Sequence, residues 1–268
     1  MADGAANASV VVGTYEQIVP AYEAMWAPLL RTHGVHLLDG LDLSEARRVL
    51  DLGCGVGRLL PDISERAPQA TVTGTDLTEA MLRAAPSRFG RVVADATRSP
   101  FAGDVFDAIV STFMLFHVPQ PVVALEAARG VMRAGGAIGV AVWGDHDEFP
   151  ARDAWDETLD RAGVPEDPAA AGPPDGEAFV NEQGKLRTVL GDAGFGDVRV
   201  GTGAWLAAWD LDGFLAWRRG MGTSRRRLAL LDQPAADAAF AEATRAVAEL
   251  PASAFEHRDE IVFGWATA

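Results

Sequence analysis

The sequence predicts a doubly wound α/β fold, and three observations carry that reading. From about residue 48 onward, short β-branched runs alternate with stretches of helical periodicity. The first run, Val49 to Leu52, breaks into glycines at Gly53, Gly55 and Gly57 and resumes at once as the helical pattern Arg58-Leu59-Leu60. The next strand closes on an acid, Asp76, 19 residues beyond Gly57.

Glycines are needed where a backbone takes positive φ or lets a ligand approach with no Cβ in the way, and these stand just before a helix N-terminus. Their spacing narrows the choice of ligand. A dinucleotide site asks for G-x-G-x-x-G with its pyrophosphate on the helix N-terminus, whereas here the third glycine comes one residue early and Arg58 holds its slot. Asp51, two residues before Gly53, would repel a pyrophosphate but suits an ammonium group. Phosphate is therefore the poorer reading. The stretch Leu50-Asp51-Leu52-Gly53-Cys54-Gly55-Val56-Gly57 resembles the first motif of class I S-adenosylmethionine (SAM) dependent methyltransferases, where this loop carries the aminoacyl end of the cofactor. The resemblance implies a doubly wound, mostly parallel seven-stranded sheet with the last strand antiparallel and with helical cap insertions. It covers residues 40–143 most closely, and 194–200 and 260–266 more loosely.

Composition bounds the rest. A chain of 268 residues, 49% of them hydrophobic, can bury a full core. No apolar run approaches bilayer length and the first residues lack a signal-peptide pattern, so a cytoplasmic protein with no membrane partner is expected. The balance of 23 Lys+Arg against 38 Asp+Glu gives a net charge of −15, which repels phosphate backbones and argues against nucleic acid. Arg218, Arg219 and Arg225 to Arg227 form the one basic cluster, read as a solvated helix face or as partners for nearby acids. A single cysteine, Cys54, permits no internal disulfide, and the five histidines show no metal-ligand spacing, so no metal is expected. Abundant Ala, Gly and Arg with a single Lys suggest a high-GC, bacterial genome.

Residues 10 to 46 read as helical, with Tyr15, Ile18, Val19, Tyr22, Met25 and Trp26 at three- and four-residue steps. The resemblance makes this region a lid, with Tyr15, Tyr22 and Trp26 as the candidates to touch ligand; packing of an amphipathic helix explains the same residues. The loop helix should end near Ala67-Pro68. Ala70 to Thr75 is the second strand, and Asp76 at its end is placed to accept both ribose hydroxyls of an adenosine, as the second-strand acid does in the resembling enzymes. Leu77 follows. A helix from Thr78 to Ala85 carries Met81, which lies against adenosine in the resemblance or packs in the core. Residues 91–94 form the third strand, and the resemblance sets Asp95, with Ala96, at the adenine amino group. Residues 105–110 form the fourth, with Asp107 structural.

From the fourth strand the chain leaves through Ser111, whose carbonyl, by resemblance, accepts from the cofactor's ammonium. His117 stands before a Val-Pro turn as a candidate general base or a loop-positioning group, and Tyr15 is the second catalytic candidate. A helix over 121–132 leads to a fifth strand over 137–143, after a turn in which Ala134 replaces the proline usual in the family. Trp143 lines the acceptor pocket or packs in the core. Further on come a helix over 149–162, a Pro/Gly-rich loop over 164–176, a helix over 182–191 and the sixth strand over 195–200. The aromatic stretch Trp205 to Gly222, helices at 228–231 and 235–250, and a last strand over 260–265 complete the pattern.

The expected divisions are 1–46 as an N-terminal helical lid, 47–144 as the SAM-binding Rossmann-like core, 145–193 as a helical insertion, and 194–268 as the last strands with an inserted helical cap. The implied activity is methyl transfer from SAM to an O, N or C atom of a small organic molecule, in secondary metabolism. A SAM-supported cyclisation or rearrangement is the alternative; a nicotinamide enzyme is disfavoured by Arg58. Acceptor and oligomeric state are not written in the sequence.

Overall fold

The computed structural model describes residues 2–167 and 176–268, so the expected loop over 164–176 lies largely outside the described residues. The elements are α1 (Ala2–Glu16), α2 (Val19–Leu38), β1 (Arg48–Leu52), α3 (Leu60–Arg66), β2 (Thr71–Asp76), α4 (Glu79–Ala84), β3 (Gly90–Val93), β4 (Phe106–Thr112), a 3-10 turn (Leu115–His117), α5 (Pro121–Arg129) and β5 (Met132–His146). Beyond these come α6 (Pro150–Arg161), α7 (Glu177–Val180), α8 (Gln183–Asp192), β6 (Gly196–Ala208), α9 (Leu211–Gly220), α10 (Gly222–Leu228), α11 (Gln233–Ala248), a second 3-10 turn (Ala252–Phe255) and β7 (Glu256–Thr267).

The seven strands lie in the order β3-β2-β1-β4-β5-β7-β6. From β3 to β5 the pairing is parallel. Beside β5 the direction reverses: the N–H groups of Gly135 and Asp147 donate to the carbonyls of Ala268 (3.0 Å) and Arg258 (2.9 Å), so β7 is antiparallel. The sheet is thus mixed, and the mostly parallel description applies to the five strands β3 to β5. Strand order reverses between β1 and β4, which opens a crevice at their carboxyl ends, where open α/β sheets take ligands.

β1 and β4 are the central strands, with Val49 to Leu52 and Ala108 to Ser111 buried without a break on both faces. Asp107 serves the sheet from below. Burial pushes its carboxyl up, but the N–H groups of Arg47 (2.8 Å) and Arg48 (2.8 Å) and the Arg133 guanidinium (2.6 Å) outweigh that and hold it below the ordinary carboxylate range. Between Phe106↔Met132 and Ala108↔Ala137 the β4–β5 register shifts, so the turn expected at Arg133 to Gly136 is absorbed into β5 as an irregularity. That is why β5 starts five residues earlier than the sequence suggests.

Against α3, α2 is tied by Arg31, whose guanidinium meets Asp62 through two bonds of 2.7 and 2.6 Å. Asp62 is buried and Arg31 half exposed. Arg31→Ala is expected to cost about 1 kcal/mol, because a buried carboxylate loses its partner; urea unfolding measures this.

In the described residues the chain divides into two compact units, one of residues up to 145 with 176–203 and 260–268, the other of 146–167 with 204–259. The second has its own core, in which Phe149, Trp155, Phe214 and Val247 are buried. Trp155 Nε1 donates to Ser224 Oγ at 2.8 Å. Trp209 and Trp217 stack at 5.6 Å within this unit, so part of the aromatic enrichment is helix packing. The arginines partner acids: Arg218 with Asp156, Arg227 with Asp160 and Arg226 with Asp167. Arg218 and Arg227 are buried, which corrects the solvated-face alternative for those two. The helix expected at 228–231 lies earlier, as α10. Among the described residues no helix is long and apolar enough to cross a membrane.

Candidate functional site

A cavity of about 450 Å³ opens at the carboxyl ends of β1, β2, β3 and β4, all within the first unit. Its floor is the glycine loop. Gly53 adopts φ +78° and Gly55 φ +54°, a region that side chains disfavour; a Cβ on Gly53 would stand 2.2 Å from Met114 Cγ. Four of the loop's N–H groups are occupied internally. Those of Gly53 and Cys54 donate to Thr75 O, that of Gly57 to Cys54 O, and that of Gly55 to Asp76 Oδ2 at 2.8 Å. A pyrophosphate cradle keeps such groups free for the ligand, so this loop is not one.

Asp76 ends β2 with both oxygens engaged, the second accepting from the N–H of Thr78 at 2.8 Å. Each oxygen retains lone-pair capacity toward the cavity. Thr78 precedes α4 with no side-chain cap; Asp76 satisfies its N–H instead. Burial raises the Asp76 carboxyl, opposed by the N–H groups of Thr78 and Gly55. Asp51 lies on β1, fully buried, and neither of its oxygens has a hydrogen-bond partner among the described residues. Burial first, then the Asp76 charge, pushes it up to about 7. Buried carboxylates waiting for a counter-charge favour a cationic ligand. Burial also raises the Tyr22 hydroxyl well above its ordinary value, with Tyr15 and Asp76 adding to it.

Across the cavity Tyr15 Oη lies 2.8 Å from His117 Nε2, and their rings meet edge to face at 5.4 Å. Burial lowers His117 to about 4, so the imidazole is neutral at physiological pH. Tyr15 comes from α1 and His117 from the 3-10 turn after β4, two elements a hundred residues apart in sequence.

Of the residues expected from sequence, Gly53, Gly55, Asp76, Leu77, Met81, Asp95, Ala96, Tyr15, Tyr22 and His117 line the cavity. Three do not. Asp51 is buried beside it, the Ser111 hydroxyl donates to Leu52 O at 3.1 Å within the sheet, and Trp143 packs behind the wall, 4.6 Å from the Phe113 ring and 6.0 Å from Trp26. Trp143 is half-buried there, outside the residues that line this cavity. Sequence reasoning missed Phe113 and Met114. Phe113 sits at φ +52°, rare for an aromatic residue, held by its N–H to Ala141 O at 2.7 Å. That turn lays Met114 over Gly53 and starts the segment that carries His117. An apolar sequence with no glycine gives no sign of it.

A family model described as "Methyltransferase domain" matches residues 50–140. With the sheet order and the cavity, this makes that part of the chain a class I SAM-dependent methyltransferase domain, whose cofactor is SAM. The residues present fit the cofactor: a floor open to close approach, Asp76 facing the cavity and unpartnered acid beside it. Among its relatives, the ubiquinone/menaquinone biosynthesis C-methyltransferase of Paracoccus denitrificans is 33% identical over 147 residues, 49% of this chain and 58% of the relative. The malonyl-[acyl-carrier protein] O-methyltransferase of Geobacter sulfurreducens is 36% identical over 107 residues, 38% of this chain and 40% of that protein. The chain thus spans little more than half the length of the first and two fifths of the second. In fold it resembles phosphoethanolamine N-methyltransferase 2 of Haemonchus contortus, solved with S-adenosylhomocysteine (SAH): TM-score 0.51, 16% identity, 88% of this chain and 52% of that one.

Proposed function

We propose that this chain transfers the methyl group of SAM to an O, N or C atom of a small organic molecule, and that the acceptor belongs to bacterial secondary metabolism. The observation that carries this reading is the cavity itself: glycine floor and Asp76 on one side, the Tyr15–His117 pair on the other. In this reading Asp76 takes the ribose hydroxyls, Asp95 the adenine amino group, Leu77, Met81 and Ala96 the adenosine, and the Ser111 carbonyl, with Asp51 nearby, the ammonium. Residues 1–46 act as the lid. SAM held there supplies an electrophilic methyl carbon on a cationic sulfur, which is left as a neutral thioether.

Tyr15 and His117 handle the acceptor's proton. As the acceptor gives its proton to Tyr15 Oη, the tyrosine's own proton moves 2.8 Å to His117 Nε2. A neutral imidazole of low basicity can accept it because the sulfur's positive charge disappears in the same event, leaving the net charge of the cavity unchanged. Incubation with SAM and a panel of phenols, amines and activated methylene compounds tests this by mass spectrometry. A methylated product together with SAH is expected, and Tyr15→Phe should slow turnover by about 10²-fold with little change in SAH affinity. SAM bound and consumed with no methylated product would move the assignment to a rearrangement; full activity in Tyr15→Phe would remove Tyr15 from the proton path.

A further inference from the structure

The strand ends supply the cofactor side of the cavity, and the facing wall comes from α1 and from the segment joining the 3-10 turn to α5. Resting on the methyl-transfer reading, we infer that the acceptor is an uncharged, largely apolar molecule presenting a hydroxyl to the Tyr15–His117 pair, and that carboxylate- or phosphate-bearing acceptors are rejected.

The facing wall is built from Ala8, Val11, Val118, Pro119 and Val123, with Tyr15 and His117 as its inward polar pair and Gln120 exposed at its edge. Tyr15 and His117 satisfy one another at 2.8 Å, a donor and an acceptor with no net charge. The charged groups among the described lining residues are Asp76, Asp95 and Arg98. Arg98 is exposed, in the turn after β3, where its backbone N–H donates to Asp95 O at 2.9 Å. It stands beside one acid of the cavity, with Asp76 the other acid among the lining residues. In the SAH complex, where no sulfonium offsets it, an anionic acceptor would leave water for this space with no buried side-chain cation among the described lining residues to receive it, which costs several kcal/mol. The chain's net charge of −15 opposes its approach as well. An apolar molecule meets no such penalty. Val123, a lining residue 37% exposed, offers it apolar surface.

The test is titration of the SAH-saturated protein with two probes of equal ring size, 2-naphthol and 2-naphthoate, followed by calorimetry. Naphthol should bind at least about tenfold tighter than naphthoate. Val11→Arg, which places a cation in the wall, should narrow or invert that ratio, while Arg98→Ala should leave it unchanged. Naphthoate binding as tightly as naphthol would overturn the inference, as would naphthoate affinity that disappears in Arg98→Ala, or an SAH complex that binds neither probe. Failure to bind SAH in the first place would instead strike the methyl-transfer reading, and this inference with it.

Discussion

Gly53→Ala is expected to abolish SAH binding, by about 100-fold or more, while the sheet still folds. At φ +78° an L side chain pays about 1–2 kcal/mol in backbone strain alone. The new Cβ would also lie 2.2 Å from Met114 Cγ and 2.6 Å from its Cβ. The Met114 Cβ is not the end of a flexible chain; it is fixed by the left-handed turn at Phe113, so the loop itself must move. Movement of the loop breaks the Gly55 N–H to Asp76 bond and displaces the carboxylate proposed to hold the ribose. Gly55→Ala is the milder control, since its Cβ would meet Tyr22 Oη at 3.4 Å. Calorimetric titration of both variants, with circular dichroism to verify folding, measures the difference. Near wild-type affinity in Gly53→Ala would show that the floor of the cavity does not carry the cofactor.

Stability against pH should divide into two opposing contributions of similar size. Asp51, whose ordinary value is 3.8, titrates at about 7 in the folded chain, so its contribution is full below pH 3.8 and is lost as pH rises through 7. His117, ordinarily 6.5 and here about 4, contributes above pH 6.5 and loses that contribution as pH falls through 4. At 1.36 kcal/mol per pKa unit, the spans are on the order of 4 and 3 kcal/mol, so they nearly cancel between pH 4 and 7. Asp76, raised like Asp51, adds to the first. Removing either partner should expose the other. Asp51→Asn is expected to lose stability toward acid, and His117→Gln to lose it toward neutral pH, in urea unfolding series of the ligand-free protein. Parallel profiles for all three proteins would mean that neither group is held as its burial implies.

Much of the cofactor side was legible in the sequence because it rests on local, periodic signals. A β-branched run, three glycines and an acid at the next strand end locate the floor and Asp76 with no tertiary knowledge. Strand ends were less legible: β6 and β7 extend well beyond the expected 195–200 and 260–265, since sheet pairing overrides weak local propensity. The turn before β5 misled for a related reason, as Gly135 and Gly136 are also compatible with an irregular strand. On the acceptor side the limits were physical. The bond between Tyr15 and His117 joins residues far apart in the chain, and the left-handed Phe113 has no sequence signature. Trp143 is equally compatible in sequence with pocket or core; its contact with Phe113, at 4.6 Å, is a tertiary one that the sequence does not display.

The central claim is that the cavity at the ends of β1 and β2 binds the cofactor through Asp76. Calorimetric titration of the wild type and Asp76→Ala with SAH tests it most directly. Wild-type binding, weakened in the variant by about 1–3 kcal/mol, the worth of charged hydrogen bonds, is the predicted result. Equal affinity in the two proteins, or no SAH binding by the wild type, would contradict the account.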